Sequence, residues 1–187
     1  MNTTLFSHIQ LMNPVLESRY LKLEESRNRL IGELEGLDEE LLNRPAATGK
    51  WSINQIVAHL IQVEQLTNSY IQRKVQEEEL ESASLAHTLR SLLLRVALHS
   101  GMKFKAPAAV AKVPAHASLN SLRIQWDAAR YQLEDTLTEL PRPLLDKCVF
   151  RHPYAGMLTI TQTLAFLQDH FDHHARQISR LRQQWLK

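Results

Sequence analysis

Nine of the 187 residues are histidine, at positions 8, 59, 87, 99, 116, 152, 170, 173 and 174. The run His170-Phe171-Asp172-His173-His174 sets two imidazoles four residues apart. On a helix that spacing puts both on one face about a turn apart, which suits two neighbouring ligands of a single metal ion. Spacing alone says little, since chance produces roughly 0.4 such pairs in a chain this rich in histidine. Position says more. His174 fills the slot between Phe171 and Ile178 in an apolar stripe of near-heptad spacing, and His170 flanks the same seam beside Leu167. His59 sits between Ile56 and Val63 at the edge of another stripe. Three imidazoles directed into one core need partners, because an unpaired buried polar group costs a few kcal/mol. A divalent metal would satisfy all three together. The plainer reading makes each a half-exposed histidine lining the surface.

The remaining candidates are weaker. His173 points about 100° around the axis from His174 and reads as a flanking residue, or as a ligand in place of His170. His152 lies in a His-Pro loop, where a structural role is expected. His8, His87, His99 and His116 read as ordinary surface or partly packed histidines. Glu64 is a candidate to brace a metal-bound histidine, or else one half of a salt bridge at the core edge. Asp169 and Asp172 read as a solvated face. Cys148 is a lone loop thiol with nothing nearby in sequence to lower its pKa, so it receives no catalytic role. No catalytic acid or base stands out.

The elements that must position these side chains are helices. Asn13-Pro14 starts the first, with a capping Asn and a proline where its missing N–H costs nothing; the run extends to about Glu35, and Gly36 stops it. A short helical turn follows at 38–42. Ser52 and Gln55 make a capping box for a second long helix that fades in the acidic run 77–81. A shorter helix is expected over 84–99, then a Lys-, Ala- and Pro-rich loop over 101–117. Ser118 caps another long helix to about Leu140, ended by Pro141 and Pro143. The segment 148–158 reads as a loop, and Thr159 with Gln162 caps a last helix running almost to the C-terminus. Four long helices with one apolar stripe each bury those stripes in a four-helix bundle. The class is all-α, and residues 1–187 read as one domain.

Composition closes off other classes. Lys plus Arg is 22 and Asp plus Glu is 20, a formal charge of +2, which disfavours a dedicated nucleic-acid binder; the basic residues cluster only at Arg176, Arg180 and Arg182. With 44% hydrophobic and 22% charged residues, the chain reads as an ordinary globular protein. A single cysteine forbids a disulfide framework or a four-cysteine zinc site and suits the cytoplasm. No leader peptide and no membrane-spanning stretch are expected.

Two blocks carry a family resemblance. One is Trp51-Ser-Ile-Asn-Gln-Ile-Val-Ala-His59-Leu60, with Glu64 following. The other is His152-Pro-Tyr-Ala-Gly156-Met-Leu-Thr-Ile160, leading into His170-Phe-Asp-His-His174-Ala-Arg-Gln177-Ile178. In these the chain resembles the DinB-like, YfiT-type family of metal-dependent hydrolases. The resemblance implies an up-down-down-up bundle in which a long crossover with a short extra helix, here 82–117, joins the second and third long helices. It implies a metal site at His59, His170 and His174. Three imidazoles leave positions open for water or substrate, and imidazole suits Zn, Ni and Fe alike. Similar proteins include thiol transferases and isomerases that use a low-molecular-weight thiol, so thiol transfer to an unknown small molecule is expected ahead of hydrolysis. The alternative is a non-catalytic metal-binding or stress-related bundle.

The resemblance also implies a homodimer. Leu92, Leu93, Leu94, Val96 and Leu98 make the short middle helix apolar nearly all round, so part of it should remain as an exposed patch unless the 101–117 segment covers it.

Overall fold

A computed structural model describes residues 11–100, 110 and 112–185 of the chain. Its helices are α1 (Pro14–Leu34), α2 (Glu39–Asn43), α3 (Ile53–Lys74), α4 (Leu85–His99), α5 (Leu119–Glu139) and α6 (Ile160–Trp185), with a 3-10 turn at Arg142–Leu144. The caps fall where expected. Asn13 accepts from the Val15 N–H, Ser52 and Gln55 close a full capping box, and Ser118 accepts from the Ser121 N–H. Thr159 and Gln162 bond reciprocally at the start of α6. Gly36, at φ +90°, turns the chain after α1 as only glycine does readily.

Cross-helix contacts give the directions. Tyr20, Arg27 and Glu35 on α1 meet Glu134, Asp127 and Arg123 on α5, so α1 and α5 are antiparallel. Asn54, Glu64 and Gln72 on α3 meet Ala117, Arg130 and Thr136 in the same order, so α3 and α5 are parallel. Ser26 and Glu33 on α1 meet Gln168 and Arg182, so α1 and α6 are parallel. The long helices therefore run up, down, down, up, and the crossover 75–118 is the cost of joining two parallel neighbours. Asn43, Asn54 and Glu39 pin its end through the backbone of Ala117 and Leu119.

One segment departs from the expected loop. Cys148–His152 (β1) and Gly156–Thr159 (β2) form an antiparallel hairpin closed by the pair His152–Gly156. A three-residue turn with Gly156 at φ +73° makes this closure, and the register slips between Cys148 and Phe150. Cys148 is thus buried at a strand start, not held on a loop, and burial pushes its thiol up. His87 is buried too, as the reciprocal partner of Ser84 in the α4 capping box.

The apolar core comes in two parts. Leu16, Leu23, Leu133, Leu137, the hairpin and Leu164 pack at one end; Leu30, Leu34, Ile56, Leu122, Trp126 and Phe171 pack at the other. Between them each long helix contributes polar side chains at the same level: Ser26 and Arg27, Glu64, Arg130, and Gln168 to His170. On α4, Leu94 and Leu98 are buried, whereas Leu89, Leu92, Leu93 and Val96 are exposed. The described part of the 101–117 segment leaves that face open; its other residues lie outside the described structure, as does His8.

Candidate metal centre

His59 comes from α3, and His170 and His174 from successive turns of α6; the three offer ligand nitrogens that all lie within 4.8 Å of one another. His59 is buried, and the α6 pair keeps partial exposure. The rings are mutually tilted, with centroids 4.7–5.2 Å apart. The juxtaposition joins residues 111 positions apart.

For two of the three rings the outer nitrogen has a partner that fixes the inner one. His59 Nδ1 lies 2.9 Å from the carbonyl of Val110, which can only accept, so the ring proton sits on Nδ1 and Nε2 presents a lone pair. His174 Nδ1 lies 3.0 Å from Gln177 Oε1, which likewise only accepts, so Nε2 again presents a lone pair. His59 Nε2 and His170 Nε2 stand 3.3 Å apart. That is close to the edge of a tetrahedron with metal–nitrogen bonds of about 2.0–2.1 Å. The donor set therefore fits a divalent ion: neutral imidazoles, two of them oriented by oxygen acceptors behind them.

Electrostatics agree with geometry. Burial lowers the pKa of all three rings, bringing His174 down to about 3, and for His170 the neighbouring imidazoles lower it further. All three stay neutral near pH 7, the protonation state a metal ligand requires. Trp51 closes one side, its ring centroid 4.9 Å from that of His59. Phe166 lies 5.6 Å from His170, also centroid to centroid.

The other candidates are elsewhere. His173 turns aside to the Leu98 carbonyl at the end of α4 and does not join the cluster. Glu64 takes the salt-bridge reading: Arg130 Nη2 donates to Oε1 at 2.8 Å and Trp126 Nε1 to Oε2 at 3.0 Å, all three side chains being buried. Burial pushes its carboxyl up while these donors pull it down. Asp169 is buried, not solvated, and faces Arg95 and His99 of α4 at 3.5 and 3.8 Å. Asp172 accepts from Gln168. His99 and His116 are exposed as expected. His152 is buried in the hairpin turn, consistent with a structural role there. Sequence reasoning missed the Val110 carbonyl, because a backbone acceptor leaves no residue-type signal; Gln177, one turn after His174, was visible as part of the second block.

The model of the DinB superfamily matches residues 22–178. Among curated proteins, the uncharacterized protein YuaE of Bacillus subtilis is 24% identical over 159 residues, covering 85% of this chain and 94% of its own. A "putative metal-dependent hydrolase" of Bacillus mycoides is 26% identical over 172 residues, covering 90% and 86%. Among solved structures, YfiT from Bacillus subtilis, described as "a probable metal-dependent hydrolase with an unusual four-helix bundle topology", superposes with a TM-score of 0.63 at 17% identity, covering 91% of this chain and 87% of that one. The four-helix bundle protein TT2238 superposes with a TM-score of 0.57 at 21% identity, covering 88% and 98%. Both structural likenesses speak for the fold.

Proposed function

The chain belongs to the DinB superfamily, and on that premise we propose that it is a metal-dependent enzyme whose divalent ion is held by His59, His170 and His174. The observation that carries this reading is the convergence of three neutral imidazoles, with outer nitrogens already committed to Val110 and Gln177. When bound, such an ion acts as a Lewis acid that lowers the pKa of a thiol or water and polarises an electrophile. Zn, Ni and Fe all suit the donor set.

Thiol transfer from a low-molecular-weight thiol to a small electrophile is the favoured reaction. Among the described residues no carboxylate belongs to the ligand cluster. Glu64 is spent on Arg130 and Trp126, and Asp169 faces α4. A free thiol ionises near pH 8.5, far below free water, so the same ion has less to do in forming a thiolate than a hydroxide. Hydrolysis is the second reading, supported by the names of the relatives. Trp51 and Phe166 would wall the reacting groups from water.

We extend the proposal to the rest of the molecule. The chain acts as one domain in the cytoplasm; no helix among the described residues is long and apolar enough to cross a membrane. It pairs as a homodimer through the face carrying Leu89, Leu92, Leu93 and Val96. Elemental analysis of the purified protein, then paired assays of glutathione-like thiol transfer and ester hydrolysis, tests the chemistry. Stoichiometric metal with thiol transfer is expected; metal with hydrolysis alone would favour the second reading, and no bound metal after loading would overturn both. Light scattering should give twice the chain mass, and charge substitutions at Leu93 and Val96 should reduce it to one.

A further inference from the structure

His152 does more in the hairpin than its position requires. Its Nδ1 accepts from two backbone N–H groups, Tyr154 and Ala155, each at 3.2 Å. A ring nitrogen that accepts carries no proton, so the proton of this neutral ring is on Nε2. Burial holds the ring neutral, with a pKa down to about 4. Among the described residues nothing accepts from Nε2. An Asn or Asp at the same place would accept the same two amides without a buried ring, the usual side-chain brace of such turns. The turn therefore explains one nitrogen of His152 and leaves the other unexplained.

The ring that carries the unexplained nitrogen is linked to the metal centre through Phe166. The His152 ring packs edge-on to Phe166, centroids 4.5 Å apart, and Phe166 is one turn before His170 with centroids 5.6 Å apart. The His152 ring is thus one aromatic ring removed from His170. It is also rigidly mounted: the hairpin closes on the pair His152–Gly156, and both strands pack against α6. A fixed neutral donor one aromatic ring away from a candidate cation site suits an oxygen that carries or develops negative charge, because it is held in place before that charge appears.

We propose that His152 is a substrate-positioning residue, whose Nε2–H donates a hydrogen bond to a carbonyl or carboxylate oxygen of the electrophile bound at the His59, His170 and His174 site. This rests on the metal-centre reading above, and it narrows the substrate class to electrophiles with such an oxygen.

The test uses Co(II)-loaded protein and acetohydroxamate, a small chelator with anionic oxygen, followed by visible absorption. His152→Asn keeps the turn's acceptor and removes the Nε2 donor. It should bind Co(II) within about twofold of wild type and acetohydroxamate about tenfold more weakly, the size of one hydrogen bond. Unchanged acetohydroxamate affinity overturns the proposal; so does loss of Co(II) affinity, which would make His152 a servant of the metal. If His152→Asn fails to fold, nitrogen NMR of wild type loaded with Zn(II) serves instead. The Nε2–H resonance of His152 should move when acetohydroxamate is added, and a stationary resonance overturns the proposal. Wild type that binds no Co(II) would overturn the metal reading, and this proposal with it.

Discussion

The middle level of the bundle holds two buried polar groups that differ in one respect. Glu64 meets Arg130 and the Trp126 indole, so every charge there has an opposite charge or a donor within 3.0 Å. His59, His170 and His174 meet mainly each other, and two of them turn lone pairs inward. Trp126 and Phe171, rings 6.1 Å apart, link the two regions. The first group pairs its charges within the protein, although Arg130 Nε and Nη1 make no hydrogen bond; the second turns lone pairs toward a point where a positive ion would satisfy them. A buried polar group whose charges pair within the protein holds a fold, and one whose lone pairs face one another suits a ligand.

That contrast can be broken by mutation, and the largest effect should come from the charge-paired group. Glu64→Ala leaves the buried Arg130 guanidinium only the more distant Glu24 carboxylate, 3.6 Å from its Nε, and should destabilise the protein by about 3 kcal/mol in denaturant unfolding, equally with and without added metal. A cost below about 1 kcal/mol would mean that Arg130 reaches water and the pair is not structural.

The histidine group should respond to metal instead. At a hundredfold excess over Kd, a divalent ion should stabilise wild type by about 2.7 kcal/mol, and His174→Ala should abolish that gain. Thermal melts with and without EDTA measure it; identical melts would count against the ligand set.

Smaller still is the effect of the groups behind the ligands. Gln177→Ala frees the His174 ring and should weaken metal binding by about tenfold, or about 1.4 kcal/mol, with no change in the metal-free melt. An altered metal-free melt would make Gln177 a packing residue.

The mildest perturbation is pH. The three histidines have folded pKa values below the unfolded value of about 6.5, so above that pH both states are neutral and stability is flat. As pH falls through 6.5 the unfolded chain takes up protons the folded one refuses, and stability is lost progressively toward the folded values. Between pH 7 and 6 each histidine should cost at most about 0.7 kcal/mol, less for the partly exposed pair on α6. His170→Gln should shallow the slope; an unchanged slope would mean that His170 is protonated in the folded state.

The same contrast marks what could be read from residue order. Helices were legible because stripes of period 3.6 and caps such as Ser52 with Gln55 are local. The three histidines were legible because they replace apolar residues within those stripes. Two strands of five and four residues, bounded by proline and glycine, carry too little alternation to distinguish from a loop. Glu64 remained ambiguous because its partner is 66 positions away. Asp169 read as solvated because α4, which covers it, arrives from an unrelated stretch of chain.

The 111-residue separation of His59 and His170 has a consequence for the order of folding events. α3 and α6 must first be brought together by their apolar faces, since closing so long a loop costs entropy before any ligand atom is in place. A divalent ion bound there would act as a late clasp, formed after the rate-limiting step. Its presence should leave the refolding rate nearly unchanged and slow unfolding, so that a bound ion would govern how long a folded molecule lasts more than how quickly it forms.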